Sequence, residues 1–141
     1  MGLSFDLQLI PELMPRMAEL IAQSPDTKIA LCHAGSPYNR TEAGLQRWSK
    51  ILAHLSDLSN VTCKLSGLGM FDHDWTADKI KPIVDTCIAQ FGADRLMFGS
   101  NFPVDSLSGS YEKLIQAYEM LTAEAQQSKI FNSTAKRFYE L

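Results

Sequence analysis

The sequence has three cysteines and three histidines, and neither set falls into a spacing that would build a structural metal site. Cys32, Cys63 and Cys87 are odd in number and none stands in a Cys-x-x-Cys pair, which argues against a zinc ribbon and a disulfide framework. Two lie inside apolar, strand-like runs and the third on the apolar face of a helix, so buried free thiols in a reducing compartment are expected. No apolar run approaches the roughly 18 residues that suggest a membrane span. The stretch Met1-Gly2-Leu3-Ser4-Phe5-Asp6 lacks the basic and apolar regions of a signal peptide. Asp6 stands where an N-myristoylation signal wants Ser or Thr. These readings together point to a cytoplasmic protein with no membrane partner. Neither Gly-x-Gly-x-x-Gly nor Gly-x-x-x-x-Gly-Lys-[Ser/Thr] occurs, so nothing marks a nucleotide phosphate site. A net charge of −3, with basic residues scattered singly, leaves no electrostatic footprint for nucleic acid.

What is present is an architectural repeat. Ile29-Ala30-Leu31-Cys32-His33-Ala34-Gly35-Ser36-Pro37 is a short apolar strand that ends in a histidine and a turn. Val61-Thr62-Cys63-Lys64-Leu65-Ser66-Gly67 and Arg95-Leu96-Met97-Phe98-Gly99-Ser100-Asn101-Phe102-Pro103 repeat the arrangement. Each strand delivers polar side chains at its carboxyl end and each is followed by an amphipathic helix, the way a parallel (β/α) barrel assembles a site. Strands are predicted over residues 3–7, 28–33, 61–65 and 95–100, in one α/β domain spanning 1–141. A complete eight-unit barrel takes about 250 residues, so four parallel strands, each with its helix on the same side, amount to half of one. An open flavodoxin-like sheet is the alternative, but it usually brings a fifth strand and an early phosphate loop.

Helix patterns fill the intervals. Leu13, Met17, Leu20 and Ile21 predict one buried stripe, and Leu45, Trp48, Leu52 and Leu55 a second, behind Thr41 as cap. Thr76 can start a third helix burying Ile80, Ile83, Val84, Cys87 and Ile88, although Pro82 argues for a start nearer Ile80. Tyr111 to Leu121 is a fourth, burying Leu114, Ile115, Tyr118 and Leu121. The tail from Ser128 to Leu141 reads as a helical closure, with Asn132 or Ser133 as an internal cap.

His33 is the leading candidate for chemistry. At the tip of an apolar strand it can bind a metal, take a proton or polarise a carbonyl, or it can be a hydrogen-bonded strand-end residue. Lys64 ends the third strand, and facing inward it would attract a substrate carboxylate; Ser66 shares its face. Ser100 and Asn101 end the fourth. An amide can donate to one oxygen and accept from another, but cannot serve as a general base. Asp105 is close enough in sequence to be the acid of such a site, or a helix cap. Tyr38 and Arg40 lie in the loop after His33, where Arg40 could clamp an anion. His73, between Asp72 and Asp74, could serve as a substrate loop, whereas His54 sits mid-helix as a surface residue.

Four stretches taken together carry a resemblance. They are His33-Ala34-Gly35, Lys64-Leu65-Ser66-Gly67-Leu68, residues 91–104 and Ala135-Lys136-Arg137-Phe138-Tyr139. In this order they resemble the C-terminal half of the amidohydrolase-related family, TIM-barrel hydrolases that include sugar and dicarboxylate lactonases. The resemblance implies strands five to eight of the barrel. It also implies hydrolysis of a lactone, ester or amide of a small polar or anionic molecule. His33 would polarise the carbonyl or bind metal, Asn101 would orient water or substrate, and the Lys64, His73 and Arg40 loops would select the substrate, with Tyr38, Ser66, Ser100 and Asp105 as further substrate-binding candidates from their places at the strand ends. This chain has Gly-Ser-Asn-Phe-Pro where the family usually has Gly-Ser-Asp-Trp-Pro, so the usual acid is missing at Asn101. The family's first-strand His-x-His pair is not present either. A divalent metal such as zinc is implied for the full-length enzyme, and none for this chain by itself. The isolated half is therefore expected to hydrolyse poorly or not at all. Its open edges are expected to be covered by a homo-oligomer or by an N-terminal half. The alternative is an inert half barrel or a small-molecule binding module that oligomerises.

Overall fold

Strands β1 (Ser4–Leu7), β2 (Lys28–Leu31), β3 (Val61–Leu65) and β4 (Leu96–Phe98) form one sheet in the order β1-β2-β3-β4, every neighbouring pair parallel. This is a computed structural model, and it describes residues 3–141. Strands this apolar pair in parallel because helices cover them. Helices α1 (Met14–Ala22), α2 (Glu42–Ser56), α3 (Ala77–Phe91) and α4 (Tyr111–Leu121) follow the strands in turn. The register puts Leu7, Leu31, Cys63, Leu65, Leu96 and Phe98 on the helix side, where they merge with Trp48, Leu52, Ile80, Ile83, Leu114 and Tyr118 into the main core. Thr41, Thr76 and Ser110 each accept a hydrogen bond from a backbone N–H in the first turn of α2, α3 and α4, fixing where those helices begin.

The structure departs from the sequence reading at several points. β2 stops at Leu31, not at residue 33, because His33 and Ala34 adopt left-handed backbone with φ of 55° and 51°. β4 covers only Leu96–Phe98, since Ala93–Arg95 forms a tight 3-10 turn ahead of it. The buried stripe of α1 is Met14, Ala18 and Ile21, while Leu13 and Leu20 are exposed. α3 starts at Ala77 despite Pro82. At the sixth helical position, Pro82 removes only a bond to the first-turn carbonyl of Asp78, and that residue is solvent-exposed. In the tail, α5 (Glu124–Ser128) runs through a π-helical turn at Lys129–Ser133 into α6 (Thr134–Tyr139), so no internal cap forms at Asn132 or Ser133.

The second face of the sheet carries Asp6, Ala30, Thr62, Lys64 and Met97. Ile29, Val61, Cys63 and Leu96 belong to the core under the helices. α6 crosses to this second face, where Phe138 packs on Ala30 and Met97 with Ala135 and Tyr139 beside it. Thr134 Oγ1 donates to the Ala93 carbonyl at 3.1 Å and anchors the crossing. Edges β1 and β4 stay open, and Leu3, Phe5, Ile10, Leu13 and Leu20 are exposed at the β1–α1 end of the layer.

Candidate active site at the carboxyl ends of the strands

The turn after β2 builds the first wall. His33, Ala34, Gly35 and Ser36 all have positive φ, which turns the chain sharply as it leaves the sheet. Two contacts hold this unusual run. The Trp48 Nε1–H donates to the Ala34 carbonyl at 2.9 Å, and the Ser36 N–H donates to the His33 carbonyl at 2.8 Å. His33 Nδ1 lies 2.9 Å from Ser66 Oγ, so the strand-three serine sets the imidazole's orientation. Burial holds the His33 pKa below 6.5, and hydrogen bonding to Ser66 and the charge of Asp105 pull it partly back. The ring is neutral at pH 7, able to donate from one nitrogen and accept at the other.

Gly67 closes the space behind the ring. Its φ is +61°, and a Cβ there would meet His33 Nδ1 at 2.5 Å. Gly67→Ala is therefore expected to cost about 1–2 kcal/mol for the backbone alone and to displace the imidazole. Thermal melts and the His33 ring resonances in NMR check this; an unmoved ring would show that Gly67 does not shape the site.

The second wall follows β4. Asn101 is also left-handed, with φ of 55°. Its Nδ2 donates to Asp105 Oδ1 at 2.9 Å, and the Asp105 N–H donates to the Asn101 carbonyl at 3.1 Å. Asp105 is 4% exposed, and its other carboxyl oxygen, Oδ2, has no hydrogen-bond partner among the described residues. Burial raises the Asp105 pKa, opposed by the Asn101 amide and by His33. The sign of the linkage follows. A raised folded-state pKa favours the native state below the unfolded carboxyl value, and that advantage is lost as pH rises through the folded value. Asp105→Asn is thus expected to gain stability relative to wild type between about pH 3 and pH 7, read as the difference in Tm across that range. A difference that is flat with pH would contradict the burial of the charge.

The other sequence candidates separate by place. Ser100 Oγ accepts from the Phe102 N–H at 3.3 Å and sits in the same loop as Asn101. Lys64 lies one layer lower on the second face, ion-paired with Asp6 and beneath the Tyr139 ring at 5.2 Å. Burial works against its charge, but hydrogen bonds to Asp6 and Tyr139 outweigh it and raise its pKa. Arg40 is spent on backbone, donating from Nε to the Pro37 carbonyl at 2.6 Å and from Nη2 to the Leu68 carbonyl at 2.8 Å, which ties the second loop to the third. Tyr38 Oη donates to Glu12 Oε1 at 2.6 Å on the exposed surface. His73 is exposed in the long loop. So His33 pairs with Ser66 and Asn101 with Asp105, the charges of Asp105 and Lys64 both reach His33, and Arg40, Tyr38 and His73 serve elsewhere in the fold. Trp48 and Gly67 escaped sequence reasoning, because nothing local says that a mid-helix tryptophan or a strand-end glycine touches the histidine turn.

An open groove of about 800 Å³ lies between α2 and α3 and includes none of His33, Ser66, Asn101 and Asp105. Among the described residues no three His, Cys, Asp or Glu side chains gather as a metal centre requires. The residues present do not fit a metal by themselves.

A family model described as Amidohydrolase matches residues 1–141. This chain belongs to the amidohydrolase family. It is 40% identical to an uncharacterised protein, y4mH, of Sinorhizobium fredii, over 99% of this chain and 48% of that one. It is 31% identical to L-fucono-1,5-lactonase of Burkholderia multivorans, over 97% of this chain and 51% of the lactonase. An amidohydrolase of Burkholderia multivorans solved with bound Zn superposes with a TM-score of 0.90 at 31% identity, across 98% of this chain and 52% of that one. Amidohydrolase 2 of Bifidobacterium longum gives a TM-score of 0.76 at 28% identity, with 99% and 50% covered. The chain spans about half the length of the relatives it matches, and its four parallel βα units are half of the family's (β/α)8 barrel. The second-face layer of Ala30, Thr62 and Met97 is accordingly the half that turns toward a barrel axis. No helix among the described residues is long and apolar enough to cross a membrane.

Proposed function

We propose that this chain forms the C-terminal half of a hydrolase that opens a lactone or ester of a small polar or anionic molecule. The observation that carries the reading is a neutral His33, oriented by Ser66 just past β2, and an Asn101–Asp105 pair just past β4, both at the carboxyl ends of parallel strands and with the Asp105 charge felt at His33. Two lactonases among the relatives support the lactone class, at 31% and 28% identity. In this reading the imidazole N–H of His33 donates to the substrate carbonyl oxygen. That polarises the carbon and holds negative charge as a tetrahedral intermediate forms. Ser66 fixes the ring, and Asn101 orients the water or the substrate beside it.

Ser66 and Ser100 lie just past the ends of the adjacent strands β3 and β4, where hydroxyls suit a polyhydroxylated substrate. Half a barrel supplies half a site, and hydrolysis by the isolated chain is expected to fall far below the kcat of about 10 s⁻¹ typical of enzymes. The test follows hydrolysis of a panel of aldono-1,5-lactones, L-fucono-1,5-lactone included, by the purified chain and by His33→Ala. Weak hydrolysis abolished in His33→Ala supports the reading. Hydrolysis indifferent to His33→Ala would place the chemistry elsewhere, and full turnover would show the half to be self-sufficient. An inert or binding-only half barrel would leave every lactone in the panel intact.

A further inference from the structure

The pairing of Asn101 with Asp105 contains an asymmetry that the roles assigned so far do not use. Asp105 holds a carboxyl group in a nearly closed environment, with one oxygen bound by Asn101 Nδ2 at 2.9 Å and the other without a hydrogen-bond partner among the described residues. A buried acceptor without a donor costs about 1–3 kcal/mol, and a charged one more. A helix cap would spend that carboxyl on backbone N–H groups, but Asp105 accepts none. The Asn101–Asp105 contact also explains why position 101 carries an amide. A carboxylate there would set two acidic oxygens about 3 Å apart, and like charges at that distance cannot both ionise. Asn and Asp together keep a single carboxyl group at this spot and no shared proton. Its charge acts on the His33 imidazole across the mouth.

We propose that Asp105 is the group that accepts the proton of the attacking water, and that Asn101 is a positioning residue that holds Asp105 in place. The inference rests on the hydrolase reading above and deepens it. The step balances as follows. One O–H bond of water breaks, its proton passes to the Asp105 carboxylate, and its oxygen bonds to the substrate carbonyl carbon. The carbonyl π pair moves onto the oxygen facing His33. On collapse the bond from that carbon to the ring oxygen breaks, and the proton held by Asp105 passes to the departing oxygen, leaving a hydroxy acid. One carboxylate thus serves as base and then as acid.

This geometry makes a prediction that does not depend on turnover. In an aldono-1,5-lactam the ring oxygen is replaced by an N–H, which would donate to the Asp105 carboxylate. Binding of the lactam to the 141-residue chain is measured calorimetrically for wild type, Asp105→Asn, Asn101→Asp and the exchanged variant Asn101→Asp/Asp105→Asn. Circular dichroism confirms that each is folded. The isosteric Asp105→Asn is expected to weaken binding at least about tenfold, the scale of a charge-assisted hydrogen bond. The exchanged variant is expected to recover most of that loss, because it restores one amide and one carboxylate at the same contact. Asn101→Asp alone is expected to bind with a new dependence on pH, from two carboxyls competing for one proton. If wild type binds the lactam and Asp105→Asn binds it equally, or the exchanged variant is no better than Asp105→Asn, this assignment is wrong while the hydrolase reading stands. If wild type does not bind at millimolar lactam, the hydrolase reading fails and the assignment fails with it.

Discussion

At micromolar concentration, sedimentation equilibrium of the purified chain is expected to show dimers or larger species instead of a single 15.7 kDa component. Two features drive this. Strands β1 and β4 end the sheet with unpaired backbone groups, a template for another strand. Beside β1, Leu3, Phe5, Ile10, Leu13 and Leu20 are exposed together, more apolar surface than scattered single residues explain. α6 already covers the second face over Ala30 and Met97, so the edges, more than the face, are what association would seal. A second copy related by a two-fold axis would supply four more parallel strands, as would an N-terminal half-barrel. Replacing Phe5 and Leu20 with lysine should shift the chain toward monomer. A folded, monodisperse 15.7 kDa species in wild type would mean that the edges need no cover.

The largest single loss of stability is expected at Trp48. It is 2% exposed in the core between α2 and the sheet, and its Nε1–H is the bond that holds the left-handed turn at Ala34. Trp48→Ala should cost about 3–5 kcal/mol through lost packing and the cavity left behind, a large share of the 5–15 kcal/mol by which domains are stable. Trp48→Phe keeps most of the packing and removes the donor, so the Ala34 carbonyl is orphaned at about 1–3 kcal/mol. Denaturant melts with an unchanged m-value read both losses. The two variants should also differ in kind, with Trp48→Phe broadening the His33 ring resonances while the global fold persists. A Trp48→Phe variant as stable as wild type, with the His33 resonances unmoved, would show that the turn holds itself.

The sequence was informative where burial alternates with a simple period and silent where the backbone leaves the common regions. β3 was legible to the residue, because Val61, Cys63 and Leu65 alternate with Thr62 and Lys64. The cap Thr41 was legible for a local reason, a side-chain oxygen three residues before a free N–H, whereas Pro82 obscured the equivalent cap at Thr76. β2 was read too long because His33 follows an unbroken apolar run, and nothing in Cys-His-Ala-Gly announces four successive positive φ values. The α1 stripe was read correctly at Ile21 but not at Leu13 and Leu20, which are as apolar as the buried Met14 and Ile21 yet lie on the exposed side of the helix. His33 and Asn101 were visible as strand-end residues, whereas the bond from Asn101 to Asp105 depends on a loop conformation that composition does not encode. Lys64 was left between two orientations, and the register settles it: it shares a face with Asp6, one strand beyond its neighbour, and pairs with it.

The claim on which the account turns is where small polar ligands bind. Titration of the ¹⁵N-labelled chain with an aldono-1,5-lactam, followed residue by residue in NMR spectra, tests it most directly. The account predicts shifts at His33, Ser66, Gly67 and residues 100–105, with the α2–α3 groove around Leu45, Ser49 and Pro82 unmoved. Shifts confined to that groove, with the His33 turn silent, would contradict it.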